Sequence, residues 1–141
     1  MRLSSDMKRI MSLVFLLLLN IDAYGISERE KVYKEEMELL STMASKNSSN
    51  RRISEISMKD AAEMYQLCKE QNSTNKRFQM DCSIHETNKE MGETDLREAN
   101  KKRDDILKEV AEIKAKLMEK FGKLPEWWKA SEKTIMDQIN K

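Results

Sequence analysis

The chain has 141 residues, with 26 basic and 25 acidic side chains, 11 methionines, 3 glycines and a single proline. So even a charge balance excludes a phosphate-gripping nucleic-acid binder and a free membrane-attacking cationic peptide, both of which rest on a basic excess. High charge of balanced sign with so few chain breakers predicts long solvated helices, and the methionines predict a soft, adaptable core.

In chain order, Arg2, Lys8 and Arg9 come before or at the edge of an apolar run from Ile10 to Leu19. That run falls short of the roughly 20 residues needed to cross a bilayer and matches the ~7–15 of a secretory h-region. With small residues at Ala23 and Gly25, residues 1–25 are expected to be a signal peptide cut after Gly25. An uncleaved anchor is the alternative. Removing this leader takes away Arg2, Lys8, Arg9, Asp6 and Asp22 and leaves residues 26–141 formally neutral. These are expected to form one helical domain, secreted and extracellular, with no stable membrane insertion after cleavage.

Ser27 to Glu30, "SERE", offers a capping box and predicts a first helix over 27–45, with Val32, Tyr33, Met37, Leu39, Leu40, Met43 and Ala44 on one broad face. Residues 45–52, "SKNSSNRR", break the apolar pattern and are expected to be a loop, in which Asn47 begins a glycan acceptor triplet. A second helix over 54–70 carries Met58, Ala61, Ala62, Tyr65 and Cys68 on one side. Met64 and Leu67 widen that stripe, and Ile53 and Ile56 anchor the helix start.

Both cysteines and the only histidine follow within twenty residues. In an oxidising lumen, Cys68 and Cys82 are expected to pair, closing a loop for which chain entropy gives roughly 3 kcal/mol. A zinc site would recruit Cys68, Cys82, His85 and Glu86, but no paired Cys-x-x-Cys or second histidine is present. A redox pair would also want Cys-x-x-Cys. Asn72, in "NST", is the second expected glycan acceptor. Phe78, Met80, Cys82 and Ile84 alternate as in a strand; with no partner strand, an extended, packed connection is expected.

The strongest pattern predicts a helix over 87–121, in which Leu96, Ala99, Arg103, Ile106, Val110, Ile113 and Leu117 form a heptad seam that Arg103 interrupts. Gly92 weakens its first turns. Gly122 suits the position after a helix and Pro125 the first turn of the next, predicted over 125–140 and folding back on its predecessor. There Trp128 falls on the inner stripe with Ile135 and Ile139. Trp127 falls off it and is the candidate exposed partner contact. The Cys68–Cys82 link makes the helices that flank it antiparallel, so the fold class is all-α: a small up-and-down helical bundle with one long heptad-patterned helix.

No catalytic constellation, metal set or cofactor motif is found: G-x-S-x-G, H-E-x-x-H, EF-hand and phosphate-loop patterns are all missing from the sequence. The expected function is that of a secreted small helical glycoprotein, not an enzyme, acting by protein–protein interaction with a receptor or a copy of itself. One alternative is a precursor cut at Arg51-Arg52, at Lys101-Lys102-Arg103 or after "FGK". Another is a carrier holding a small apolar ligand.

Overall fold

Heptad spacing sets the main contact of the molecule. The structure, a computed structural model, describes the backbone of residues 5–141 and the side chains of Arg9 and of residues 28–141. Apart from Arg9, the expected signal peptide and its cut lie outside the residues whose side chains are described. The described residues form three helices, α1 (Ser5–Thr74), α2 (Ser83–Phe121) and α3 (Trp128–Ile139), and no strand. On α1, Tyr33, Met37, Leu40, Ala44, Asn47, Arg51, Ser54, Met58 and Ala61 step by four and three without a break and continue through Tyr65 to Cys68; each is buried or half-buried. A repeat averaging 3.5 residues keeps one stripe facing a partner along the whole length. The α2 stripe obeys the same rule from His85 to Leu117.

The two stripes meet antiparallel. Cys68 is bonded to Cys82 with 5.8 Å between their Cα atoms, and Gly92 meets Met58. Further along, Asn47 reaches the Ala99 carbonyl, and Lys120 reaches the Tyr33 hydroxyl at 2.7 Å. The turn between the helices fixes this register at one end, and α3 closes the other.

The loop expected over 45–52 is absent, and the helices expected over 27–45 and 54–70 are one helix. The expected start at Ser27 falls inside α1. The neighbouring helices supply partners for some of the polar groups there, while the buried Asn47 Oδ1 and Arg51 Nε have none among the described residues. Asn47 and Ser48 are buried, and the Asn47 Nδ2 donates to the Ala99 carbonyl at 2.8 Å. The Arg51 guanidinium donates to the Ile139 carbonyl, and Arg52 to that of Lys141 at 3.3 Å. The last carbonyls of a helix lack intrahelical donors, so two arginines of α1 serve the end of α3.

The largest side chains collect at the α3 end. Met37, Leu40, Ile106, Val110, Ile113 and Leu117 enclose Trp128, Ile135 and Ile139, with Leu107, Phe121 and Leu124 packed at the edge. α3 therefore docks chiefly on α1 and meets α2 only through side chains, whereas the sequence suggested that it folds back on α2. Towards the disulfide the seam narrows to Ala99, Gly92, Ala61 and Cys68, so that half is a two-helix hairpin with little to bury.

Gly92 does not mark the start of α2. It sits well inside, buried, where a Cβ would lie 3.0 Å from both Cα and Cβ of Met58. The missing side chain permits the backbones to approach, which outweighs the roughly 1 kcal/mol that glycine loses to alanine in a helix. Gly92→Leu is expected to push the helices apart and lower stability by about 1–3 kcal/mol, read from the urea midpoint. An unchanged midpoint would contradict the close crossing.

α2 begins at Ser83, four residues before the expected start at 87. The Asp81 carboxylate accepts from the Ser83 N–H at 3.0 Å, and that bond holds its carboxyl below the usual pKa. At the other end Gly122 adopts φ 70° and its N–H donates to the Met118 carbonyl at 2.9 Å, the left-handed cap expected of it. α3 begins at Trp128, three residues after the expected start at 125. The intervening turn is closed by the Trp128 N–H on the Pro125 carbonyl at 3.1 Å.

Candidate functional site

α3 covers one flank of the α1/α2 pair; the other flank is an open groove. A second apolar stripe of α1 runs along it: Leu39, Met43, Ile53 and Met64, continued by Val32 and Leu67 at its ends. Their spacings of 7, 4, 10, 11 and 3 are near-multiples of 3.5, so they stay on one side of the helix beside the buried seam. Ile53 is 62% exposed and Met64 49%. Met91 of α2 joins Met64 at the disulfide end, where Ser57, Ala61 and Gly92 form the floor.

The four depressions along this flank share residues in succession: Met43 and Glu109, then Asn47, Asn50 and Lys102, then Asp95. They form one continuous trough from Glu36 to Met64, on the order of 40 Å at the rise of an α-helix. Its rims carry seven acids, Glu36 and Asp60 from α1 and Asp95, Glu98, Asp105, Glu109 and Glu112 from α2. Against them stand three bases, Lys46, Lys102 and Lys116.

Among the described residues the ion pairs are Lys89–Glu93, Arg103–Asp104, Lys114–Glu132 and Lys133–Asp137, and none involves a groove acid. The α3 flank has the opposite character. Around the end of α3, Arg51, Arg52, Arg103 and Lys141 gather beside a single acidic side chain, Glu55. A chain with almost no net charge thus carries an acidic side and a basic end.

The tip of the hairpin is the second exposed apolar feature. Met80 and Ile84 are exposed and Phe78 is 77% exposed, so the connection expected to pack does not. Its backbone is held instead by Asn72. The Asn72 Oδ1 accepts from the Met80 N–H at 2.7 Å, and its Nδ2 donates to the Met80 carbonyl at 2.8 Å. One amide side chain plays the part of a partner strand, leaving the alternating apolar side chains facing outwards.

The structure places the sequence-derived candidates unevenly. Cys68 and Cys82 are joined, so neither is a thiolate ligand or a free redox thiol. Among the described residues no cluster of three or more histidine, cysteine or acidic side chains is arranged to hold a metal. Asn47 does not fit its expected role as a surface glycan acceptor. Its Nδ2, the atom a glycan would occupy, is buried between α1 and α2 and engaged with Ala99.

Trp127 is not the exposed contact expected of it. It is half-buried against the core, its ring 6.1 Å from that of Trp128. Trp128 is buried, and its Nε1–H donates to the Glu132 Oε2 at 2.8 Å.

The groove stripe escapes a helix-by-helix reading of the sequence. Leu39 and Met43 merge there into a broad inner face, and Ile53 is assigned to a helix start. The signal was the 3.5-residue spacing of a second set of apolar positions carried across 45–52. No helix among the described residues is long and apolar enough to cross a membrane. Compared with protein-family models, with curated proteins and with solved structures, the chain shows no significant match to any.

Proposed function

We propose that the protein is released from the cell after loss of residues 1–25 and acts by binding another protein along the open flank of α1 and α2, without catalysis. The observation that carries this reading is the row of exposed Leu39, Met43, Ile53 and Met64, spread along one side of α1 with Lys46, Asn50, Ser57 and Asp60 between them and rimmed by charge. Extended apolar surface with a polar border marks interaction sites on soluble proteins. The Cys68–Cys82 bond supports the oxidising compartment, where such bonds persist. The acidic rim disfavours nucleic acid, whose phosphates it repels. Asn72, at the hairpin tip, remains the proposed glycan acceptor; a glycan there would replace the weak donation of its Nδ2 to the Cys82 sulfur at 3.4 Å and keep the one to the Met80 carbonyl.

The precursor and carrier readings draw less support. Arg51-Arg52 lies within α1, with Arg51 holding the end of α3, and Lys101-Lys102-Arg103 lies within α2. Processing proteases favour exposed loop segments, so both sites speak for an intact chain. A carrier needs an apolar cavity, whereas Met37, Leu117 and Ile135 fill the three-helix core.

Photo-crosslinking tests the proposal. A benzophenone side chain at Ile53 or Met64 of the oxidised protein, incubated in the fluid that receives it, is expected to give a discrete adduct to one protein. The same group at Lys129, on exposed α3 surface, is expected to give none. Equal yields from all three positions, or none from any, would reject the assignment.

A further inference from the structure

The groove also says what kind of partner it suits. We propose that its occupant is a basic amphipathic α-helix of a partner protein, with an apolar face laid on the α1 stripe and lysine or arginine on both edges. This rests on the interaction reading above and adds to it the chemistry of the partner.

Shape comes first. A trough between two nearly parallel helices presents ridges and grooves spaced for a third helix, as α3 itself demonstrates on the opposite flank. The length available, from Glu36 to Met64, corresponds to about eight helical turns at 3.6 residues each. The apolar residues lie on the α1 side in heptad phase, with polar Lys46, Asn50, Ser57 and Asp60 between them, so an incoming helix needs its own apolar positions in the same phase to stay in contact.

Charge decides between occupants. The seven acids exceed the three bases on both rims combined, and no acid among them is neutralised by an ion pair with another described residue. A second copy docking groove to groove would set two such acidic rims against each other, and like charges across an interface are unfavourable. An anionic membrane surface would be repelled in the same way. A helix with basic edges relieves the repulsion that the rims exert on one another in the free protein. Glu98, Asp105, Glu109 and Glu112 recur every three to seven residues along one side of α2, so the attraction extends along the groove.

The probe is a synthetic helix of 28 residues, with leucine at the first and fourth places of each heptad and lysine at the flanking places. Its counterpart carries glutamate for lysine. Titrated by calorimetry into the oxidised protein, the lysine peptide is expected to bind at least tenfold more tightly than the glutamate peptide and to weaken as salt is raised. Reversal of two rim charges, E98K with E109K, is expected to remove most of that preference while leaving the circular dichroism unchanged.

If the glutamate peptide binds as well or better, the charge assignment falls while the interaction reading survives. If neither peptide binds but sedimentation shows a dimer that I53K disrupts, the occupant is a second copy and the proposal is again overturned. If neither peptide binds, the protein stays monomeric and crosslinks from Ile53 are absent, both readings fall together.

Discussion

Trp128→Ala is expected to lower stability by about 3–5 kcal/mol, the range for removing a buried large aromatic. The residue is 2% exposed and belongs to the one buried cluster built from α1, α2 and α3, which also holds Tyr33, Met37, Val110 and Leu117. It does two things there. Its ring fills the space between the helices, and its N–H donates to Glu132, whose carboxylate also lies 3.8 Å from the Lys114 ammonium of α2.

α3 has only twelve residues, too few to be helical alone in water, so docking holds it in shape. The alanine variant should therefore lose α3 first. Urea unfolding followed by circular dichroism is expected to show a lower midpoint and a reduced helical signal before the main transition. Trp128→Phe, which keeps most of the volume, is expected to avoid the greater part of the loss. A change under about 1 kcal/mol for the alanine variant would mean that α3 is held from elsewhere. Trp127→Ala serves as the contrast; half-buried at the core edge, it should cost less.

The second large effect is expected from the disulfide. Opening the Cys68–Cys82 bond by the double substitution to serine should cost roughly 3 kcal/mol by loop entropy. The location of the loss is more telling than its size. Around the bond the seam offers Ala61, Gly92 and Ala99, with few large side chains to bury, and the tip leaves Phe78, Met80 and Ile84 in solvent. That half depends on the covalent link, whereas the α3 half depends on its core.

Hydrogen exchange on the serine variant is expected to show amides of residues 58–92 losing protection while those of Met37 to Ala44 and Ile106 to Leu117 keep it. Uniform loss along both helices would contradict this division of labour.

Much of the architecture can be read from residue order, and the part that cannot has identifiable causes. The α2 seam is legible because aliphatic residues occupy most of its inward positions. Gly122 and Trp128 are legible for equally local reasons, a left-handed cap and a helical phase.

Residues 45–52 mislead because two kinds of evidence conflict there. Composition, with two serines and two asparagines between Lys46 and Arg51, says loop, while the spacing from Ala44 through Asn47, Arg51 and Ser54 to Met58 says unbroken helix. Phase wins, because Ala99 and Ile139 offer carbonyls to the buried polar groups, and those partners are distant in sequence. Gly92 misleads for a related reason. A helix-weakening residue reads as a boundary unless one knows that Met58 lies against it.

The groove is harder still to read, since exposure of Leu39, Ile53 and Met64 becomes apparent only when the helices on either side of 45–52 are joined. Its acidic character then follows from α2 residues that in sequence look like ordinary solvated helix surface. Asn72 is legible as the start of an acceptor triplet but not as the residue that braces the hairpin tip, because its partner Met80 is reached only through the turn.

The central claim is that one stripe of α1 is buried in a seam while the stripe beside it is left open for a partner. Methionine oxidation by dilute peroxide reads both at once, because the chain carries methionines on each. In the free oxidised protein Met43, Met64 and Met91 are expected to oxidise quickly and Met37, 1% exposed, to remain intact; the lysine-edged helix is expected to protect Met43 and Met64 selectively. Oxidation of Met37 at the rate of Met43, or protection of Met43 and Met64 in the free monomer, would contradict the account.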